Sequence, residues 1–227
     1  MIENIVQNLA TGLLGKLFQP KGLTPAQRWA LAAGGVLTKL NKDTFETLQN
    51  DFHKEEGIRV LKEWWGIHNT TEVQEMIASL TVNGHRRRFE PRYKEISILS
   101  EDQFKRLLEH TDPDNVPLYV FIWENRARFV NGTLLSWDLA RLINICRFAY
   151  TAGYISEAYA WQKIMEAARS LQAAYPSWDA LIDSYLLGYR FWQDGSPVRE
   201  GEAVAAKWLK TSPESPCRQI PWKTKLG

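Results

Sequence analysis

Cysteine is scarce in this chain, two residues in 227, which excludes a disulfide framework. An excess of charge of one sign is also lacking. The 28 Lys and Arg nearly balance 26 Asp and Glu, leaving a formal net charge of +2. That argues against a chain built mainly to hold the polyanion of a nucleic acid. No run approaches the ~20 apolar residues of a spanning helix. The four histidines, His53, His68, His85 and His110, pair neither with one another nor with cysteine at ligand spacing, and HExxH is absent. No metal and no cofactor is therefore expected. GxSxG, P-loop and GxGxxG signatures are lacking too, as are internal repeats and low-complexity segments. Cys146 falls on an apolar stripe with Leu142 and Ala149 and reads as a small buried residue. Cys217 stands in a polar stretch where exposure is open to it. Nothing in the sequence lowers the pKa of either thiol, so no catalytic residue is assigned.

What the chain has is tryptophan: ten, beside eight tyrosines and nine phenylalanines. With 44% hydrophobic and 24% charged residues it can bury a core, and its length suits one domain. Helix signals recur throughout. Thr24-Pro25 is an N-cap followed by Pro at the first helical position. Asn69 with Glu72 and Ser100 with Gln103 have capping spacing, and Asp43 with Glu46 reads as a variant of it. Gly66 and Gly84 are placed to stop helices. Leu135, Leu139, Leu142, Cys146 and Ala149 step by three and four. So do Trp161, Ile164, Ala168 and Leu171, and so do Trp178, Leu181, Tyr185, Tyr189 and Trp192. The expected fold is all-α, a compact array of about eight to ten helices, with room for one short extended segment near 89–99. Residues 119–123 fit either a strand or a buried helix.

Three regions are expected: an amphipathic N-terminal helix over 1–20, a single helical domain over 21–210, and an irregular C-terminal tail over 211–227. The first carries Ile2, Ile5, Val6, Leu9, Leu13, Leu14, Leu17 and Phe18 at helical spacing. Glu3 and the polar interruptions Asn4, Gln7 and Asn8 do not fit a signal peptide, so a cytoplasmic location is expected. With only Lys16 basic, a membrane-surface role for residues 1–18 is weakly supported.

Two constellations could carry function. The stretch from His85 to Lys94 places Arg86, Arg87 and Arg88 beside Phe89 and Tyr93, which suits phosphates and stacked bases, or an anionic protein surface. More informative is Trp137-Asp138-Leu139-Ala140-Arg141. Asp138 and Arg141, three apart, share a helix face beside the apolar stripe. They read either as a structural clamp, costly to break when partly buried, or as cleft residues, with Arg141 binding an anion and Asp138 acting as base or orienter.

The run from Trp137 through Asp138, Arg141, Arg147, Gly153-Tyr154-Ile155, Glu157-Ala158, Leu171-Gln172 and Ser177-Trp178 to Gly188-Tyr189 and Trp192 is similar to a bacterial family. That family is catalogued as domain of unknown function 1266. Upstream, Trp65-Gly66-Ile67 and Gly84-His85-Arg86 match more loosely, and the likeness covers about 24–195. The resemblance implies a bacterial, helical, soluble domain and supplies no reaction, substrate or cofactor. Trp65, Gly66, Gly153, Ser177, Trp178, Gly188 and Trp192 are its structural positions. Ser177 reads as a cap, and Gly188 in mid-helix as a point of close helix contact. The leading expectation is a non-enzymatic protein-interaction protein with an unidentified protein partner, for example a partner-binding or neutralising protein in a bacterial conflict or secretion setting. Surplus Trp and Arg motivate it. The alternatives are an enzyme or small anionic-ligand binder with a cleft at Asp138, Arg141, His85 and Tyr154, and a weak nucleic-acid binder through Arg86, Arg87 and Arg88.

Overall fold

The computed structural model describes residues 22–227 and shows an all-α array. The helix expected over 1–20 lies outside the described residues. In chain order the helices are α1 (Pro25–Ala33), α2 (Gly35–Leu40), α3 (Lys54–Trp65), α4 (Thr70–Val82), α5 (Arg86–Ser97), α6 (Glu101–Glu109), α7 (Val116–Asn125), α8 (Leu135–Thr151), α9 (Glu157–Ala174), α10 (Trp178–Trp192), α11 (Glu200–Thr211) and α12 (Pro216–Gln219). Among the described residues none is long and apolar enough to cross a membrane.

The starts follow local chemistry. Thr24 and Ser100 form reciprocal capping boxes with Gln27 and Gln103. Asn69 and Ser177 accept the backbone N–H of Glu72 and Ala180. Three expectations are corrected. The segment near 89–99 is not extended: helix α5 runs through it, with Pro91 inside. Residues 119–123 belong to α7. The Asp43–Glu46 pair opens no helix; Asp43 ties a loop together instead, accepting the backbone N–H groups of Thr44 and Asp51.

Helix α8 is the axle of the fold. It packs against α9, α10, α4, α3, α1 and α2, and fourteen of its seventeen residues are buried. A helix covered on all sides must satisfy every polar group it carries, and α8 uses those groups as anchors. Ser136 donates to Leu181 O, Asn144 to Gly34 O, and Thr151 to Asn50 Oδ1. Gly188 of α10 lies against it so closely that an added Cβ would stand 2.2 Å from Trp137 Cβ. Close helix contact is what that mid-helix glycine provides.

The stretch after Thr211, expected as a surface tail, returns to the core. Trp222 packs with Trp29 and Trp178, ring centroids 5.0 Å from each. Its carbonyl accepts the Trp29 indole N–H at 3.0 Å, and Leu226 is buried. Cys217 is buried as well, against the exposure left open for it. Burial pushes the Cys146 thiol far up and the Cys217 thiol up to about 12. Both therefore stay protonated at ordinary pH, and a thiol-specific reagent at pH 8 will label the native protein negligibly. Denaturant will expose two equivalents. Rapid labelling of either thiol in the native state would show that its helix opens.

Candidate functional site

Asp138 is fully buried. Its carboxylate reaches from the first turn of α8 to the start of α5. Oδ1 accepts the His85 backbone N–H at 2.9 Å, and Oδ2 accepts Arg86 N–H at 3.3 Å and Arg86 Nε–H at 3.1 Å. Helix α5 has no acidic residue in its first turn, and the side chain of His85 caps nothing. Asp138 is thus an N-cap supplied from another helix. Gly84 makes room for it: at φ +47°, a Cβ there would stand 2.3 Å from the carboxylate. Arg86 completes the seal by donating to Leu80 O and Thr81 O at 2.8 and 2.9 Å. A carboxylate so enclosed does not face solvent.

Arg141 goes elsewhere. It does not pair with Asp138, although the two share a helix face. Its guanidinium stacks over Trp65 and Trp137, 4.6 and 4.5 Å from their ring centroids. Among the described residues it makes one side-chain hydrogen bond, Nη1 to His85 Nδ1 at 3.1 Å, out of the five N–H a guanidinium offers. A guanidinium can only donate, so this bond requires Nδ1 of His85 to be without its proton. In the other tautomer Nδ1 carries the proton and donates to Asp138 Oδ1 at 3.3 Å instead. Burial lowers the pKa of Arg141, opposed by Tyr185 and Asp138 nearby.

Arg141 lines a cavity of about 460 Å³ between α2, α3, α8, α10 and α11. Its walls are aromatic: Trp64 and Trp65 from α3, Trp137 from α8, Tyr185, Tyr189 and Trp192 from α10. Trp64 and Trp192 stand at the rim, 61% and 47% exposed, although Trp192 falls on an apolar stripe. The indole N–H groups of Trp65 and Trp137 and the Tyr189 hydroxyl are buried without hydrogen-bond partners among the described residues. Each such orphan donor costs about 1–3 kcal/mol. Arg199, the N-cap of α11, and Glu202 within that helix complete the lining. Burial raises the pKa of Tyr185, Arg141 pulls it down, and Glu202 pushes it up, so both charges bear on that hydroxyl.

The grouping of Asp138, Arg141 and His85 is therefore present, with Arg86 added. Tyr154 is not part of it. It sits in the turn after α8, where its carbonyl accepts the Thr70 hydroxyl at 2.8 Å. Arg87 and Arg88 are exposed, but Phe89 beside them is buried among Tyr93, Phe129 and Phe191. Sequence reasoning missed Trp64, Tyr185, Tyr189, Arg199 and Glu202 as cleft residues. The two tyrosines were visible only as members of an apolar stripe. Among the described residues no His, Cys, Asp or Glu group is arranged to hold a metal.

Fold and cleft together define a helical protein with an arginine set among tryptophans between its central helix and four neighbours. The chain belongs to the family described as Protein of unknown function (DUF1266), whose model matches residues 60–222. The match includes every cleft residue named above and extends past residue 195, the limit of the likeness seen in the sequence. No curated protein and no solved structure matches the chain.

Proposed function

We propose that the protein binds a small organic carboxylate in this cleft, without catalysing a reaction on it. The observation that carries this reading is Arg141, a guanidinium lying over the rings of Trp65 and Trp137 whose one side-chain hydrogen bond among the described residues is to His85. Its remaining N–H donors are left for a planar anion, the kind of group that arginine binds better than lysine. The aromatic walls suit an apolar body, and the volume suits a ligand of modest size. Two buried free thiols accord with a bacterial cytoplasmic setting. A second reading, docking of a protein partner, is favoured by the exposed rim indoles of Trp64 and Trp192.

Trp64, Trp65, Trp137 and Trp192 line the site, so tryptophan emission reports its occupancy. Titration with 3-phenylpropionate is expected to give a saturable change, weakened at least roughly tenfold, about 1.4 kcal/mol, in Arg141→Gln. Trp192→Ala, at the rim, should weaken binding while leaving the melting temperature near that of the parent. No saturable response to this or to related carboxylates at roughly 1 mM would overturn the ligand reading and leave the partner-docking one.

A further inference from the structure

Arg141 accounts for one end of a ligand. The cleft holds a second charged group, one without a counter-ion among the described residues. Glu202 lines the same cavity, is partly buried, and forms no ion pair among the described residues; its carboxylate lies against the Tyr189 hydroxyl, whose pKa it raises. Arg199, one turn earlier, donates to Gln193 Oε1 at 3.2 Å rather than to Glu202. Around Glu202 the walls are aromatic, and Tyr189 stands at a steep angle to both Trp137 and Trp192. Tyr189 and Trp192 meet at 61° with centroids 6.0 Å apart, and Trp137 lies 5.9 Å from both. Rings meeting at such angles, beside a carboxylate, are what recognises an organic cation.

We infer that the ligand is a zwitterion, with its carboxylate on Arg141 and a substituted ammonium held by Glu202 against Tyr189 and Trp192. This rests on the carboxylate reading above and extends it. The two protein charges need not meet each other, because each awaits the opposite end of one molecule. Burying an organic cation alone among indoles, beside Arg141, would be costly. A neutral or purely anionic ligand would leave Glu202 without a counter-ion in the cleft. Only a molecule carrying both charges satisfies both groups. Glu202 also lies in the first turn of α11, where a carboxylate favours the helix dipole. That role alone predicts a change in stability and none in ligand selectivity.

The test uses two ligands of the same shape. 4-Trimethylammoniobutanoate and 5,5-dimethylhexanoate differ only in whether the bulky end is charged. L-Phenylalanine against 3-phenylpropionate repeats the comparison with the two charges one carbon apart. Binding of each to the full chain is read by tryptophan emission and by calorimetry. At least one zwitterion is expected to bind roughly tenfold tighter than its anionic counterpart. In Glu202→Gln that advantage should vanish while the anion keeps its affinity. In Arg141→Gln both members of the pair should weaken. The inference is overturned if both zwitterions bind no tighter than their counterparts, or if the advantage survives in Glu202→Gln. Should the anions bind through Arg141 with no zwitterion preferred, the carboxylate reading stands and this one fails. Should no member of either pair bind, both fail.

Discussion

Asp138→Ala will unfold in urea about 3–5 kcal/mol more easily than the parent chain, the cost of stranding one partner of a buried ion pair. The substitution removes three acceptor contacts at once. Arg86 keeps its charge, its side chain 12% exposed, with no carboxylate to face. The backbone N–H groups of His85 and Arg86 lose their only side-chain cap. Gly84 is left with a left-handed backbone shaped around a carboxylate that is gone. Asp138→Asn retains the shape and one acceptor oxygen, so its loss should be smaller but distinct. Adding Arg86→Met to Asp138→Ala should recover part of the loss, because the stranded charge leaves with it. Hydrogen exchange should place the damage in α5 and the first turn of α8. If Asp138→Ala stays within about 1 kcal/mol of the parent, the carboxylate is not the clamp described here.

That clamp marks where the sequence was readable and where it was not. Caps whose two partners lie three residues apart, at Thr24, Asn69, Ser100 and Ser177, were visible because both halves of the bond sit in one short window. The start of α5 was not visible, because its cap comes from 53 residues away. Without a local signal, His85 to Leu99 looked like a loop or a strand. The spacing of Asp138 and Arg141 correctly placed both on one helix face. It could not say that Asp138 would pair with Arg86, or that Arg141 would be taken by two indoles. The stretch over 211–227 gave no sign of its place in the core, because the partners of Trp222, Trp29 and Trp178, lie far away in sequence. The cleft was illegible for the same reason, since it draws its walls from α2, α3, α8, α10 and α11. Periodicity marks a residue as apolar and on a face, but not whether the facing element covers it. Trp192 falls on the same stripe as Tyr185, yet it ends at the rim.

Arg147→Met is expected to have an effect of similar size, by the same physics at the other end of α8. The Arg147 side chain is fully buried, and the Asp43 side chain facing it at 3.3 Å is 2% exposed. Burial pulls the pKa of the guanidinium down, and Asp43 and Asp51 hold it up. Its remaining donors hold the loop between α2 and α3, reaching Thr44 O at 2.8 Å, and Leu48 O and Thr47 O at 3.3 Å each. This loop has no regular structure to satisfy its own carbonyls, so one side chain does so from the core. Methionine fills much of the volume but donates nothing, leaving Asp43 buried with Asn50 as its side-chain partner. The expected loss is about 3–5 kcal/mol. The pair Arg147→Met with Asp43→Leu should be more stable than Arg147→Met alone, because no charge is then stranded. The loop should nevertheless stay loose in both, with faster exchange of the Asn50 and Asp51 amides, which are now held by Thr151 and Asp43. Slow exchange in the double variant would mean that apolar packing, and not the guanidinium, holds the loop. Equal stability of the single variant and the parent would mean that the buried pair contributes nothing, since its desolvation then cancels its attraction.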